Sequence, residues 1–122
     1  MNDKIENCNP GEEYYQAILR SVGDSLYAIG GKWKLKIIIS LFNGTKRFND
    51  LQRSVTGISA RVLSNELKEL ELNGFVKRKV NTEHFTEVIE YELTDYSFTL
   101  NDVIMSLSHW GVKHREHVKT LP

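Results

Sequence analysis

The stretch GISARVLSNELKELELNGF, at positions 57–75, restricts the fold of this chain more than any other segment. Its leucines recur at three- and four-residue spacing, so they share one face of a helix. Ser59 is a suitable N-cap and the pair Asn73 and Gly74 is a suitable stop, which predicts a helix from about 60 to 72. The opposite face is polar. The leucines concerned are Leu63, Leu67 and Leu70.

Length and composition limit the class of protein. A chain of 122 residues with 26% charged and 40% hydrophobic residues fits a single globular domain over 1–122, with residues 1–11 as a flexible leader. The longest apolar run, 37–42, is far too short to span a bilayer. With one cysteine and no apolar segment at the start of the chain, we expect a cytoplasmic protein without a membrane partner.

Charge is distributed unevenly along the chain. Sixteen Lys and Arg balance sixteen Asp and Glu overall, yet residues 31–80 hold eleven bases against four acids, a net charge of +7. The rest of the chain therefore carries −7. Such a central basic segment favours contact with a polyanion, although a solvated basic face explains the charge count equally well.

The apolar pattern predicts three helices before the one at 60–72. A first helix covers 14–29, with Gly23 weakening its middle, and a second covers 33–42. The segment RFNDLQRSV, 47–55, predicts a short third helix with Asn49 or Thr45 near its start. The third and fourth helices are joined by a tight turn, as in a helix-turn-helix.

The second half of the chain predicts a hairpin and a final helix. FVKRKV at 75–80 and VIEYEL at 88–93 alternate in polarity and flank a polar loop at 82–86, which is typical of an antiparallel pair of strands. Thr94 and Asp95 are suitable caps for a long last helix. The predicted fold class is α+β and mostly helical: a winged helix-turn-helix with a two-stranded antiparallel wing and flanking N- and C-terminal dimerisation helices.

This architecture gives the polar face of the 60–72 helix a candidate role. Helix-turn-helix proteins place the second helix of the pair in the DNA major groove, where Arg pairs with guanine and Asn with adenine. An ordinary solvated face is the alternative. The residues predicted to contact bases and nearby phosphates are Ser59, Arg61, Ser64, Asn65 and Lys68.

Several motifs together make the chain resemble the HxlR family of bacterial transcription regulators. The resemblance runs from about residue 8 to residue 111, and it implies dimeric winged-helix regulators that bind palindromic operators. The motifs are GGKW at 30–33, RFNDL at 47–51, GIS followed by VLS at 57–64, L-x-x-L-x-x-x-G at 67–74, and Y-x-L-T at 91–94.

The resemblance implies further contacts to the DNA backbone and one departure from the family. Family wings commonly carry prolines and an arginine, whereas the loop here has two acids, Glu83 and Glu87, which would repel phosphates. His84 is the only contact expected at the wing tip. The backbone contacts implied are Lys32, Arg47 and Asn49, together with Lys77, Arg78 and Lys79 at the base of the wing, of which not all three can face the duplex.

The family usually has Gly and a base after the Tyr-x-Leu-Thr motif. Here Ser97 and Phe98 follow Thr94. We therefore expect the last helix to begin differently from the family pattern.

A twofold interface is expected because one winged helix covers too little DNA for strong specific binding. The apolar stripes of the first and last helices exceed what a small core needs. The alternative is that these residues only close the core of the monomer. The residues predicted at the dimer interface are Ile18, Leu19, Val103, Ile104, Leu107 and Trp110.

Cys8 is a candidate redox sensor, since several family members have a cysteine in this region. The nearby acids disfavour its reactive thiolate, and a merely structural or exposed cysteine is an equal alternative. His114 and His117 have the spacing of a metal site, but bases near a helix C-terminus are favoured anyway. No cofactor, no metal and no catalytic motif is predicted.

The sequence thus predicts a homodimeric, sequence-specific DNA-binding repressor of transcription. Its partner is a double-stranded palindromic operator, and an oxidant, an electrophile or a small molecule is the expected releasing signal. It is not expected to be an enzyme. The alternative is a winged-helix module that binds a protein partner and does not read DNA, for which the acidic wing is the best support.

Overall fold

A computed structural model describes residues 11–83 and 85–122. Cys8 and His84 lie outside these residues. The chain divides into two compact units, 1–31 and 32–122, and the single domain expected over 1–122 stays a prediction. The first unit contains helix α1 (Gly11–Ile29), which continues through Gly23 without a break and begins at Gly11, inside the segment expected to be a leader.

Four further α-helices belong to the second unit. α2 (Lys34–Leu41) and α4 (Ala60–Leu72) follow the predicted positions, and Ser59 caps α4 as expected. α3 (Phe48–Ser54) does too, and Asn49 is its second residue, near the start as expected. Arg47 is the N-cap of α3 and makes no side-chain capping bond, because Lys46–Arg47 form a strand whose extended backbone leads directly into the helix. The last helix is α5 (Asn101–Val118).

The sheet contains the predicted wing and one strand that the sequence did not indicate. β2 (Val76–Glu83) and β3 (Thr86–Leu93) pair antiparallel, with Lys77 opposite Glu92. Both strands extend further toward the tip than expected. A two-residue strand, β1 (Lys46–Arg47), adds to β3, so the strand order is β1-β3-β2.

The core of the second unit lies where α2, α3 and α4 meet the base of the sheet. On α3, Phe48 is half-buried, whereas Leu51 is fully buried. The apolar side chains that form the core are Ile37, Ile38, Leu41, Leu51, Val55, Ile58, Leu63, Leu67, Leu70, Phe75, Val76, Leu93 and Leu100.

The last helix begins differently from the prediction. Thr94 precedes a 3₁₀ helix (Asp95–Leu100), and its side chain caps neither helix. The Thr94 hydroxyl instead donates to the Gly74 carbonyl at 2.5 Å. Ser97 is fully buried and donates to the Phe75 carbonyl. These bonds fasten the end of the wing to the end of α4, and the helical turn that holds them displaces the start of α5 to Asn101.

Among residues 11–83 and 85–122, no helix combines the length and the apolar character that a bilayer crossing requires.

Candidate nucleic-acid interface

Helix α4 is fixed at both ends by its own sequence. The Ser59 hydroxyl accepts a hydrogen bond from the Val62 N–H at 3.2 Å, which satisfies one of the free donors of the first turn. At the other end Gly74 has a φ of 82°, and the N–H of Phe75 donates to the Leu70 carbonyl at 2.9 Å. This is a Schellman termination, and it sets where the helix stops and the wing begins.

The two faces of α4 differ as the sequence predicted. The leucine face is buried, while Arg61, Asn65 and Lys68 are exposed and Ser64 is half-buried. Within the described part of the chain, no ion pair engages Arg61 or Lys68. Leu72 extends the same outward face and is 86% exposed, an apolar group that sequence analysis did not single out. The structure thus brings a guanidinium, an amide and an ammonium together on one accessible face.

The Ser59 side chain already has a structural task. Its oxygen accepts the capping bond from Val62, which leaves the hydroxyl proton and one lone pair for a contact to DNA.

Lys34 lies beside the recognition helix, although sequence analysis did not place it in the site. Its ammonium is 2.8 Å from a carboxylate oxygen of Glu66 and 2.8 Å from one of Glu69. The hydrogen bond to Glu66, followed by that to Glu69, raises the pKa of Lys34 above 10.5. Lys34 is therefore charged at neutral pH and is paired within the protein.

The other lysines at this end of α2 are arranged around Trp33. The Lys32 ammonium lies 4.8 Å from the Trp33 ring centroid, and that of Lys36 lies 5.4 Å from it. Both side chains are exposed, so a cation–π contact orients each ammonium while leaving it accessible. Lys32, a predicted backbone contact, thus lies with a second lysine that the prediction did not include.

Two residues at the start of α3 were also predicted to contact the DNA backbone. Arg47 and Asn49 are exposed. Arg47 is paired in the sheet with Glu90 of β3, which fixes its backbone between the helix pair and the wing. β1 is the feature that positions it, and a two-residue strand leaves no periodic pattern in a sequence.

The base of the wing separates its three basic residues. Lys77 and Lys79 lie on one face with Glu92, whose carboxylate is 3.3 Å from the first ammonium and 3.6 Å from the second. Arg78 points to the opposite face, opposite Tyr91. The three basic side chains therefore do not share one face of the wing. Two of them already have an acidic partner within the wing.

Burial affects one further titratable group of the wing. Desolvation raises the pKa of Tyr91 above 10, and the charge of Arg78 opposes this increase. Tyr91 is therefore a neutral phenol at neutral pH.

The tip of the wing carries a side chain that sequence analysis missed. Phe85 is fully exposed and has a φ of 68°, a conformation that L-residues rarely adopt. A non-glycine residue in a tight hairpin turn leaves little sequence signal, so the aromatic group was counted only as part of a polar loop.

The predicted interface residues of α5 are largely exposed. Trp110 is 62% exposed, and its ring stacks on His114 with the centroids 4.9 Å apart. The ring centroids of His114 and His117 are 6.3 Å apart. Among residues 11–83 and 85–122, no group of three His, Cys, Asp or Glu side chains is placed to hold a metal ion. Val103 and Leu107 are exposed and Ile104 is half-buried.

The predicted interface residues of α1 belong to the first unit. Leu19 is 64% exposed and Ile18 is half-buried. Both lie on a helix with several further exposed apolar side chains, among them Leu26 and Tyr27.

A helix pair with an exposed polar recognition face, followed by a hairpin wing, defines a winged helix-turn-helix protein that binds DNA. The family model for the HxlR-like helix-turn-helix matches residues 28–119. The chain belongs to this family and is a DNA-binding regulator of transcription.

Known proteins resemble this chain over most of its length. The uncharacterised HTH-type transcriptional regulator YdeP of Bacillus subtilis (strain 168) is 36% identical over 100 residues, which cover 82% of this chain and 77% of YdeP. The redox regulator HypR in its reduced form is 34% identical, with a TM-score of 0.74 over 83% of this chain and 99% of that structure. The reduced form of the transcriptional regulator YodB from B. subtilis is 31% identical, with a TM-score of 0.68 over 74% of this chain and 87% of that structure.

Proposed function

We propose that this protein is a homodimeric repressor that binds a palindromic operator in the cytoplasm, with α4 of each subunit in a major groove. The observation that carries the proposal is the outward face of α4, where Arg61, Asn65 and Lys68 are exposed on a helix that is capped at both ends and buried along its opposite face. No catalytic activity is part of this proposal.

The chemistry of this face suits readout of base edges. A major groove about 12 Å wide accepts an α-helix, and each good bidentate pair of Arg with guanine or Asn with adenine gives about 1–3 kcal/mol of discrimination. We assign Arg61 and Asn65 to bases. Lys68, Ser64 and the Ser59 hydroxyl are assigned to phosphates or neighbouring bases.

The surrounding basic residues and Asn49 are assigned to the DNA backbone. Lys32, Arg47 and Asn49 are exposed at the starts of α2 and α3, the ends of the helix pair that cross the backbone in this motif. Lys77, Arg78 and Lys79 contribute less, because two of them are held by Glu92.

The homodimer is supported by apolar side chains that a single subunit leaves in water. Leu19 on α1 and Val103, Leu107 and Trp110 on α5 are each more than two-fifths exposed. Val103, Leu107 and Trp110 share one face of α5, and an exposed apolar stripe on a small protein favours a protein interface. We assign these four side chains, with Ile18 and Ile104, to the twofold contact.

The releasing signal is proposed to be oxidation at Cys8, an electrophile or a small molecule. HypR, a redox regulator, resembles this chain. Because the chain has one cysteine, a disulfide here must join two subunits or form with a small thiol. Each disulfide forms from two thiols, which lose two protons and pass two electrons to the oxidant.

Selection from a random duplex library tests the DNA part of the proposal. The full chain is used at low and at moderate salt, with Cys8 reduced or oxidised. We expect a palindromic motif with half-sites about 34–36 Å apart, and an affinity that falls steeply with salt, by about 0.9 in log K per log unit for each phosphate contact. No enrichment at either salt would favour the protein-binding module.

Leu107→Glu tests the dimer. We expect sedimentation equilibrium to show a monomer and the selected duplex to be bound far more weakly. Glu116→Gln, at an exposed polar position of the same helix, is the control. A variant that stays dimeric would remove Leu107 from the interface.

A further inference from the structure

One ammonium joins the start of α2 to the side of the recognition helix. Lys34 is the first residue of α2, and its side chain is 11% exposed. Its Nζ lies 2.8 Å from Oε1 of Glu66 and 2.8 Å from Oε1 of Glu69. These two acids are three residues apart, so they lie on one side of α4 in successive turns.

The position of these carboxylates on α4 makes the contact relevant to the outward face. At about 100° of rotation per residue, Glu69 lies between Glu66 and Asn65 around the helix. Glu66 therefore adjoins the buried leucine face and Glu69 adjoins the face proposed to read bases. A contact to both resists rotation of α4 about its axis in either direction.

Burial makes this contact more consequential than a surface ion pair. Exposed pairs contribute little to stability, but the side chains of Lys34 and Glu66 are only 11% and 21% exposed. Removing one partner would leave a charge in a poorly solvated position, which is strongly unfavourable. The raised pKa of Lys34 is consistent with a tightly held ammonium.

Lys34 differs in this respect from the neighbouring lysines. Lys32 and Lys36 are exposed, with their ammonium groups over the Trp33 ring. They remain available to a phosphate. Lys34 is directed the other way, toward α4, and its ammonium is already bound by two carboxylates.

We propose that Lys34 is a positioning residue for sequence discrimination, which fixes the rotation of the recognition helix through Glu66 and Glu69 and does not itself contact DNA. This inference rests on the proposed role of α4 in reading bases. It predicts an effect on the ratio between operator and non-operator affinity. Phosphate contacts change both affinities together, because they carry no sequence information.

Two variants that change the net charge in opposite directions separate positioning from general electrostatics. Lys34→Met removes one positive charge, and the double variant Glu66→Gln with Glu69→Gln removes two negative charges. Positioning predicts that both lower the operator to non-operator ratio, by about tenfold, the size of one base contact. A purely electrostatic role predicts that total affinity moves in opposite directions while the ratio stays constant.

The measurement is fluorescence anisotropy with the selected duplex and with a scrambled duplex of equal length, using the full chain. Lys34→Arg should restore the ratio, because a guanidinium can bind both carboxylates. Lys119→Met is the matched control, since Lys119 forms an exposed ion pair with Glu116 at 3.4 Å. We expect its ratio to equal that of the wild type.

Thermal unfolding of each variant distinguishes loss of fold from loss of positioning. If Lys34→Met does not fold, the double glutamine variant decides, because Glu69 is more than half exposed. Ratios within about twofold of the wild type in the folded variants would overturn the inference and leave the proposed function intact. A wild-type chain that shows no preference for any duplex would overturn the proposed function and this inference with it.

Discussion

The recognition helix and the wing both carry basic residues in the sequence, but their side chains are used differently. On α4, Arg61 and Lys68 are exposed, and no ion pair engages either of them within the described part of the chain. On the wing, Lys77 and Lys79 share the carboxylate of Glu92. A charge count therefore overestimates what the wing offers to DNA.

The reason is that side chains return to the same face at different intervals in a strand and in a helix. In β2, residues two apart share a face, and residues directly opposite on β3 share it too. Lys77 thus lies against Glu92, with Lys79 one step away on the same side. In α4 the acids Glu66 and Glu69 fall on the flank of the helix, where Lys34 binds them. The outward face is left with its cations accessible.

Arg61→Ala should have the largest effect and would test the α4 side of this comparison. We expect preference for one base pair in each half-site to fall by about tenfold or more, since a bidentate pair gives about 1–3 kcal/mol. Binding to scrambled DNA should change much less. Competition assays against duplexes varied at each operator position provide the measurement. Unchanged relative affinities at every position would remove Arg61 from the base contacts.

Ser97→Ala addresses the attachment of the wing and should affect stability more than DNA discrimination. The buried hydroxyl donates to the Phe75 carbonyl, which also accepts from the Thr94 N–H at 3.1 Å. Since the carbonyl keeps one donor, we expect a loss of about 1 kcal/mol in the free energy of unfolding. Urea denaturation measures it.

Thr99→Ala is the control for Ser97→Ala. Its hydroxyl makes a local, exposed bond to the Tyr96 carbonyl at 2.7 Å, and we expect a change below about 0.5 kcal/mol. Equal losses in the two variants would mean that the buried bond does not anchor the wing.

The same contrast explains what sequence analysis could predict. The bounds of α4 were confirmed, because a serine N-cap and an Asn-Gly stop define both ends locally. The wing was predicted, but its strands are longer than expected. β2 continues to Glu83, and β3 already begins at Thr86. β1 was not predicted, since its extended backbone is stabilised by pairing with β3 and not by its own two residues.

The individual contacts of the site were harder to predict than its location. The exposed face of α4 follows from helical periodicity alone. The pairing of Lys77 with Glu92 depends on strand register, and that of Lys34 with Glu66 joins residues 32 positions apart. Neither is encoded in a local pattern. Ser97 was noted as a departure from the family, but only its burial shows what it does.

Glu92→Gln would test the wing side of the comparison, with a smaller expected effect. Without the carboxylate, Lys77 and Lys79 become available to phosphates. We expect DNA affinity to rise by about two- to fivefold, since exposed ion pairs are worth about 0–1 kcal/mol. The salt dependence should steepen by about 0.9 for each lysine that reaches a phosphate. Titrations of DNA at several salt concentrations measure both the affinity and its salt dependence.

Glu13→Gln is the matched control for Glu92→Gln. It removes the same charge from an exposed position of α1, outside the wing, without releasing a lysine. If both variants gain affinity equally, the effect is one of net charge and the pairing within the wing does not limit DNA binding.

Alkaline pH should weaken the contact that holds α4, which is the smallest effect predicted here. The pKa of Lys34 is raised in the folded protein, first by the hydrogen bond to Glu66 and then by that to Glu69. Folding therefore favours the protonated ammonium. Its contribution to stability is fully present below about pH 10.5, the ordinary value, and is lost as the pH rises through the folded value.

The difference in unfolding free energy between the wild type and Lys34→Met isolates this contribution. The pKa of Tyr91 is also raised, so its deprotonation at alkaline pH destabilises the fold as well. Tyr91 is present in both proteins, and its contribution cancels in the difference. Urea denaturation at about pH 8 and about pH 11 should show the difference shrinking at the higher pH. A difference that stays constant would mean that the charge of Lys34 does not stabilise the fold, and that the rotation of α4 is set by its buried leucines alone.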